Sequence, residues 1–269
     1  MKRTLCPFLT FFLALTIACN NNTDTTDGTP DPDNPPPATI NYTVLNVFPH
    51  DTASFTQGLE FYDSILYEST GSPEDYGYPS WLGKINPKTG KMDNKVTLDS
   101  QYFGEGLTVL NNKLYLLTWT TKTGFVYDAK TLKKLGQFAY NTEGWGLTHD
   151  STSLIMSDGS SNLYYLDTAT FRNTRILGVV DHNGPVSNLN ELEYFDGYIY
   201  ANQWQTNYVL KIDPSSGRVV GRLDLSTLVS EVANKFPGYN YLNGIAYNPA
   251  SKTVFVTGKR WPNIYEIRF

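Results

Sequence analysis

Residues 105–119 read EGLTVLNNKLYLLTW, and the same pattern returns four more times along the chain. The other copies are QGLEFYDSILYESTG from Gln57, WGLTHDSTSLIMSDG from Trp145, NELEYFDGYIYANQW from Asn190 and NGIAYNPASKTVFVTGK from Asn243. Each opens on a polar or aromatic residue, continues with Gly or Glu, and then enters an apolar run at Leu or Ile. A short turn (NN, YDS, DST, FDG, NPAS) leads into a second apolar run, as expected of a β-hairpin. The copies start 48, 40, 45 and 53 residues apart, a spacing that suits propeller blades of roughly 40–50 residues.

Later strands recur as well: LGKINPKTGKMDNKVTL, GFVYDAKTLKKLGQF, NLYYLDTATFRNTRIL and VLKIDPSSGRVVGRLDL each place a turn near Asp or Asn between two strands. The fifth unit ends in NIYEIRF, one strand short, whereas NYTVLNVF (41–48) precedes the first unit without a blade of its own. The reading is therefore an all-β, five-bladed β-propeller over 41–269, closed by that N-terminal strand as outer strand of the last blade. Closure removes the free edges of an open sheet. One helix is expected near residues 225–236, where Leu225, Leu228, Val229, Val232 and Phe236 fall at helical spacing. A β-sandwich with coincidental self-similarity is the alternative architecture, and five in-frame copies disfavour it.

The 269-residue chain begins with Lys2, Arg3 and an apolar run too short to span a bilayer comfortably. That run ends in LTIAC, where Ala18 before Cys19 resembles a lipobox, with Thr16 at the position where Leu is usual. Residues 1–18 are expected to be a lipoprotein signal peptide and Cys19 the lipid attachment site. An ordinary signal peptide is the other reading. Residues 19–40, rich in Asn, Thr, Asp and Pro, read as a disordered tether. The expected location is the envelope of a bacterium, exported and lipid-anchored to a membrane.

Formal net charge is −5, and the signal carries two cations and no acid, so the domain itself is more acidic still. No basic cluster argues for nucleic-acid binding. Both cysteines precede the domain, which leaves it without disulfide or thiol nucleophile, and His50, His149 and His182 are not spaced as metal ligands. A closed propeller needs no partner, and a monomer is expected.

In a propeller the first strand of each blade lines the channel and the second runs back antiparallel. The start of one and the end of the other therefore share a face. Those positions are Gln57 (after Phe55), Glu105 and Trp119, Trp145, Asn190 and Trp204, and Asn243 and Lys259. One carboxylate, one ammonium, three indoles and several amides converge on one mouth, the composition of a ligand site. Taken singly, each has a structural use: indoles as blade packing, Asn190 and Asn243 as turn caps, Glu105 and Lys259 as an ion pair. Spacing alone leaves catalysis and ligand binding open.

The ordered set FTQGL (55–59), FGEGLT (103–108), LTW (117–119), TEGWGLT (142–148), NELEY (190–194), ANQWQT (201–206), NGIAY and VTGK (243–259) resembles the plant and bacterial glutamine cyclotransferases. These are five-bladed glutaminyl cyclases distinct from the zinc-dependent animal type. The resemblance implies cyclisation of N-terminal glutamine of peptides or proteins to pyroglutamate with release of ammonia, without cofactor or metal. It implies Glu105 as proton shuttle, with Lys259, Asn190 and Gln57 polarising the amide and holding the oxyanion. Phe55, Phe103, Trp119, Trp145 and Trp204 would wall the substrate pocket, and Asn243 would join them in binding. A non-catalytic, lipid-anchored propeller binding peptide or carbohydrate is the competing class. A calcium-dependent propeller lactonase ranks last, because only Glu105 clearly supplies a rim carboxylate, with Glu191 and Glu193 less certain.

Overall fold

The computed structural model describes residues 35–74 and 77–269. The expected signal peptide and Cys19 lie outside the described residues. Ala38–Ile40 (β1), read from sequence as the end of the tether, is instead a short strand. Thr43–Pro49 (β2) follows it. The first blade comprises Phe55–Tyr62 (β3), Ile65–Gly71 (β4), Trp81–Ile85 (β5) and Met92–Thr97 (β6). The second comprises Gly104–Leu110 (β7), Lys113–Thr118 (β8), Thr123–Asp128 (β9) and Lys134–Ala139 (β10). The third comprises Leu147–His149 (β11), Ser153–Ser157 (β12), Asn162–Asp167 (β13) and Asn173–Gly178 (β14). A small hairpin, Val180–Asp181 (β15) with Gly184–Pro185 (β16), leads to the fourth blade: Leu189–Phe195 (β17), Tyr198–Gln203 (β18), Tyr208–Ile212 (β19) and Val219–Asp224 (β20). The helix Ser226–Lys235 (α1) precedes Leu242–Asn248 (β21), Thr253–Gly258 (β22) and Asn263–Arg268 (β23).

The ring closes as the missing strand suggested. β2 pairs antiparallel with β23, with Val44 opposite Ile267 and Phe48 opposite Ile264, so the fifth blade takes its outer strand from the start of the domain. β1 extends the neighbouring fourth blade by pairing parallel with β20, Ala38 opposite Gly221. Ile40 rests against the apolar cluster at the seam between the fourth and fifth blades, which is why this end of the expected tether is ordered.

The apolar core is divided into five clusters, one at each seam between blades. The period-2 pattern points one face of each strand at each neighbouring blade, so the inner strands of every sheet are buried on both sides, while the outer strands β2, β6, β10 and β14 are mostly exposed. At the fourth-to-fifth seam the helix contributes Leu228 and Val232 to the core, as its sequence spacing required. Turns follow the expected chemistry. Asp63 and Ser64, Asn111 and Asn112, and Asp196 and Gly197 all have positive φ at the hairpin tips. Asp128, Asp167 and Asp213 each accept bonds from the backbone and hydroxyl of a following Thr or Ser, fixing the third-to-fourth strand turns.

The closing seam also holds a buried ion pair. His50, just beyond β2, places Nε2 2.9 Å from Glu68 Oε1 on β4 and Nδ1 2.9 Å from the Trp261 carbonyl oxygen. Both ring nitrogens face acceptors. Burial pushes the imidazole pKa down, but the Glu68 carboxylate outweighs it, and His50 is held above its ordinary value.

Candidate active site

The five inner strands stand side by side around the axis, and a bulge recurs near their starts. Pairing skips from Thr56 to Gly58 in β3, from Gly104 to Leu107 in β7, from Leu189 to Leu192 in β17 and from Leu242 to Ile245 in β21. The skipped residues include Gln57, Glu105, Asn190 and Asn243. A bulge leaves a residue unpaired and re-aims its side chain. The bulges thus lift the chemistry-bearing side chains out of the blade sheets and towards the channel.

Glycine follows in four of the five copies because the inner strands approach closely. A Cβ on Gly58 would lie 2.4 Å from Leu107 N, and one on Gly146 would lie 1.9 Å from Asn190 O. The fourth copy has Glu191 there instead. Its carboxylate is fully buried and accepts the backbone N–H of Leu59 at 3.1 Å and of Ile245 at 2.8 Å, joining the fourth blade to the first and the fifth. Glu193 likewise accepts Tyr247 N, and Glu60 accepts Val109 N. Glu191 and Glu193, the less certain of the three carboxylates considered from sequence as calcium ligands, are therefore used on backbone amides, whereas Glu105 is not.

At the channel mouth a cavity of about 260 Å³ is lined by Gln57, Glu105, Asn190 and Lys259 together with the aromatic residues expected there. The aromatics form an almost continuous wall. Phe55 meets Phe103 edge-on at 6.3 Å, and Phe103 meets Trp119 at 5.7 Å. Trp145 meets Trp204 at 5.4 Å, and Trp204 meets Tyr241 at 5.9 Å. Glu143 bridges the two halves: its Oε2 accepts the indole N–H of Trp119 at 2.7 Å and of Trp145 at 3.0 Å. Sequence reading missed Glu143, Asn240 and Tyr241. The first sits inside the TEGWGLT segment (142–148), but it lies outside the strand-end positions that the repeat brings to one face.

Glu105 is buried, and its Oε1 accepts Gln57 Nε2–H at 3.2 Å. Burial among aromatics raises its pKa well above the ordinary carboxylate value, Lys259 partly opposes this, and the Glu143 charge adds to it. Lys259 is buried too, with Nζ 4.8 Å from the Phe55 ring centroid. Desolvation lowers its pKa to about 8, against the pull of Glu105. The two come no closer than 4 Å, so the simple ion pair weighed from sequence does not form among the described residues. Asn190 turns a buried Oδ1 without partner at the cavity. A buried amide oxygen is not left unpaired cheaply, and such an acceptor suits a donor group on a ligand.

Asn243 differs from expectation. It is fully buried and does not line the cavity. Its Nδ2 donates to the Thr56 carbonyl at 3.0 Å and to Gln57 Oε1 at 3.3 Å, so it orients Gln57 rather than touching a ligand. The cavity lining holds one carboxylate and no histidine or cysteine, a donor set ill-suited to a metal ion and well suited to a neutral polar ligand with an amine.

Comparison with known proteins finds relatives over most of the chain. The family model described as glutamine cyclotransferase matches residues 12–269. The glutaminyl-peptide cyclotransferase of Arabidopsis thaliana is 41% identical over 229 residues, covering 84% of this chain and 70% of that protein. The crystal structure of Myxococcus xanthus glutaminyl cyclase superposes with a TM-score of 0.80 at 35% identity, covering 86% of this chain and 97% of that one.

Proposed function

The chain belongs to the glutamine cyclotransferase family, and from that membership we propose that it converts N-terminal glutamine of peptides to pyroglutamate, with Glu105 as the proton shuttle. The observation that carries the mechanism is the placement of Glu105: a buried, pKa-raised carboxylate, hydrogen-bonded to Gln57, at the base of an aromatic cavity.

The substrate brings its own nucleophile. An α-amine has a pKa of about 7.7–8.0 and is substantially neutral at mildly alkaline pH. Its nitrogen attacks the side-chain amide carbon, forming the ring C–N bond and an oxyanion. Glu105 takes a proton from the attacking nitrogen and delivers it to the amide nitrogen. The C–N bond to that nitrogen then breaks, ammonia leaves, and Glu105 is again a carboxylate. A raised pKa brings the carboxyl closer to both nitrogens and eases each transfer. Lys259 and the amide N–H groups of Gln57 and Asn190 serve the developing oxyanion, where fixed dipoles in a water-poor site act strongly, and Asn190 Oδ1 is left to accept from the substrate amine. The aromatic wall excludes water and folds the glutamine side chain toward its own amine.

No step in this reading is assigned to a metal. The test is ammonia release from a glutaminyl dipeptide near pH 8, with and without a strong chelator. Release that survives the chelator supports the mechanism; release abolished by the chelator and restored by a divalent ion would overturn its metal independence. Folded protein that binds peptide without releasing ammonia would overturn the reaction itself. Lys2, Arg3, the apolar run and LTIAC support a further part of the proposal, export and lipid anchoring at Cys19 in a bacterial envelope.

A further inference from the structure

A peptide whose N-terminal glutamine fills the cavity must carry the rest of its chain out past the rim. On one side that rim is shared. Phe55, Phe103 and Trp119 also wall a second, larger cleft of about 910 Å³, which runs between the first and second blades. This volume lies within the range of small-ligand clefts, about 300–1,000 Å³.

The cleft is built rather than accidental. Tyr78 packs on Trp81 at 5.1 Å and donates its hydroxyl to the Ala53 carbonyl at 2.8 Å. Tyr102 stands edge-on to Phe125 at 4.9 Å. Trp119 is pinned through its indole N–H to Glu143, yet 40% of its surface is exposed. A rigid indole left this exposed beside the cavity marks a contact surface, because its apolar area is costly to leave in water. Chemical bias follows from the lining. Its other members are Ser, Pro, Gly, Gln and Thr, and its one charged side chain among the described residues is Glu74.

We propose that this cleft is the subsite for the residues that follow the N-terminal glutamine, and that it favours aromatic or large apolar side chains there over acidic ones. The proposal rests on the glutaminyl reading of the adjoining cavity. The backbone of the second residue passes Trp119, and the next side chains lie against Tyr102 and Tyr78. An acidic peptide meets Glu74 and an acidic domain, and gains nothing from the rings.

The experiment compares kcat/KM for Gln-Ala-Ala-NH2, Gln-Phe-Phe-NH2 and Gln-Asp-Asp-NH2 in the purified protein and in Thr120→Asp, whose new charge enters the cleft. Burying two aromatic side chains is expected to favour Gln-Phe-Phe-NH2 over Gln-Ala-Ala-NH2 by at least about tenfold, mostly through KM, and Thr120→Asp is expected to lower that ratio several-fold. Equal values for the three wild-type substrates, or a ratio unchanged in Thr120→Asp, would overturn the proposal. Calorimetric binding of Ala-Phe-Phe-NH2 and Ala-Asp-Asp-NH2, which cannot cyclise, separates the two readings. If no peptide releases ammonia but the aromatic peptide still binds several-fold more tightly, the cyclase reading fails and the cleft stands. Equal affinities would remove the cleft.

Discussion

Gln57 donates its Nε2–H to Oε1 of Glu105 at 3.2 Å, across the boundary between the first and second blades. The other end of the same amide accepts from Asn243 of the fifth blade at 3.3 Å. The carboxylate is thus aimed by a chain of amides crossing two seams of the ring, and each link can be tested.

Replacing Glu105 by Gln keeps the shape and removes the proton carrier. General acid–base groups contribute on the order of 10²–10⁴-fold, and kcat for ammonia release is expected to fall within that range with KM little changed. Stability should move the other way. The native pKa is raised above its ordinary 4.5, so wild type loses stability as pH climbs from 4.5 through the native value, whereas the Gln variant does not. Thermal melts at pH 4 and pH 8 check this: Glu105→Gln should match wild type at the lower pH and melt higher at the upper.

The pH profile of kcat/KM should be bell-shaped. The acid limb reports ionisation of Glu105 together with deprotonation of the substrate amine. Lys259, lowered to about 8, loses its charge as pH rises through that value, so stabilisation of the oxyanion declines there. Lys259→Met should flatten the alkaline limb and cost about 10²–10³-fold, the usual loss for one oxyanion partner. A decline above pH 8 that survives Lys259→Met would assign that limb to another group.

Asn243→Ala leaves the cavity walls untouched and frees the Gln57 amide to rotate. We expect kcat to fall about tenfold while KM for a glutaminyl dipeptide changes less than threefold. Asn243→Asp replaces the Nδ2 donor with a second acceptor oxygen, facing the Thr56 carbonyl and Gln57 Oε1, and should not rescue. An equal rise in KM would instead make Asn243 a binding residue, as its sequence position suggested.

Glu143→Gln keeps one acceptor for the two indoles of Trp119 and Trp145 while removing a charge near Glu105. Glu143→Ala removes both indole bonds, and KM should rise several-fold with kcat nearly unchanged. The acid limb in Glu143→Gln should shift to lower pH, because the Glu143 charge contributes to raising the Glu105 pKa.

Glu191→Ala leaves the buried N–H groups of Leu59 and Ile245 without acceptors. Stability is expected to drop by about 2–5 kcal/mol, read from chemical denaturation. A loss within 0.5 kcal/mol would show that water enters the channel and replaces the carboxylate.

Much of this protein was determined by local sequence. Strand alternation, Asn and Asp at hairpin tips and the fivefold recurrence all act over a few residues, so the blades, their number and the strand that closes them could be read directly. The gathering of Gln57, Glu105, Asn190 and Lys259 was legible for the same reason, since equivalent positions of a repeat must meet on one face. Tertiary structure alone decided what each does. Asn243 sits 186 residues from the Gln57 amide it holds, and Glu191 reaches amides 132 and 54 residues away. Those partners are chosen by bulges and by the close approach of inner strands, which depend on closing the ring. The raised carboxyl of Glu105 and the lowered ammonium of Lys259 likewise arise from burial, a property that no residue carries until its neighbours from other blades have excluded the water.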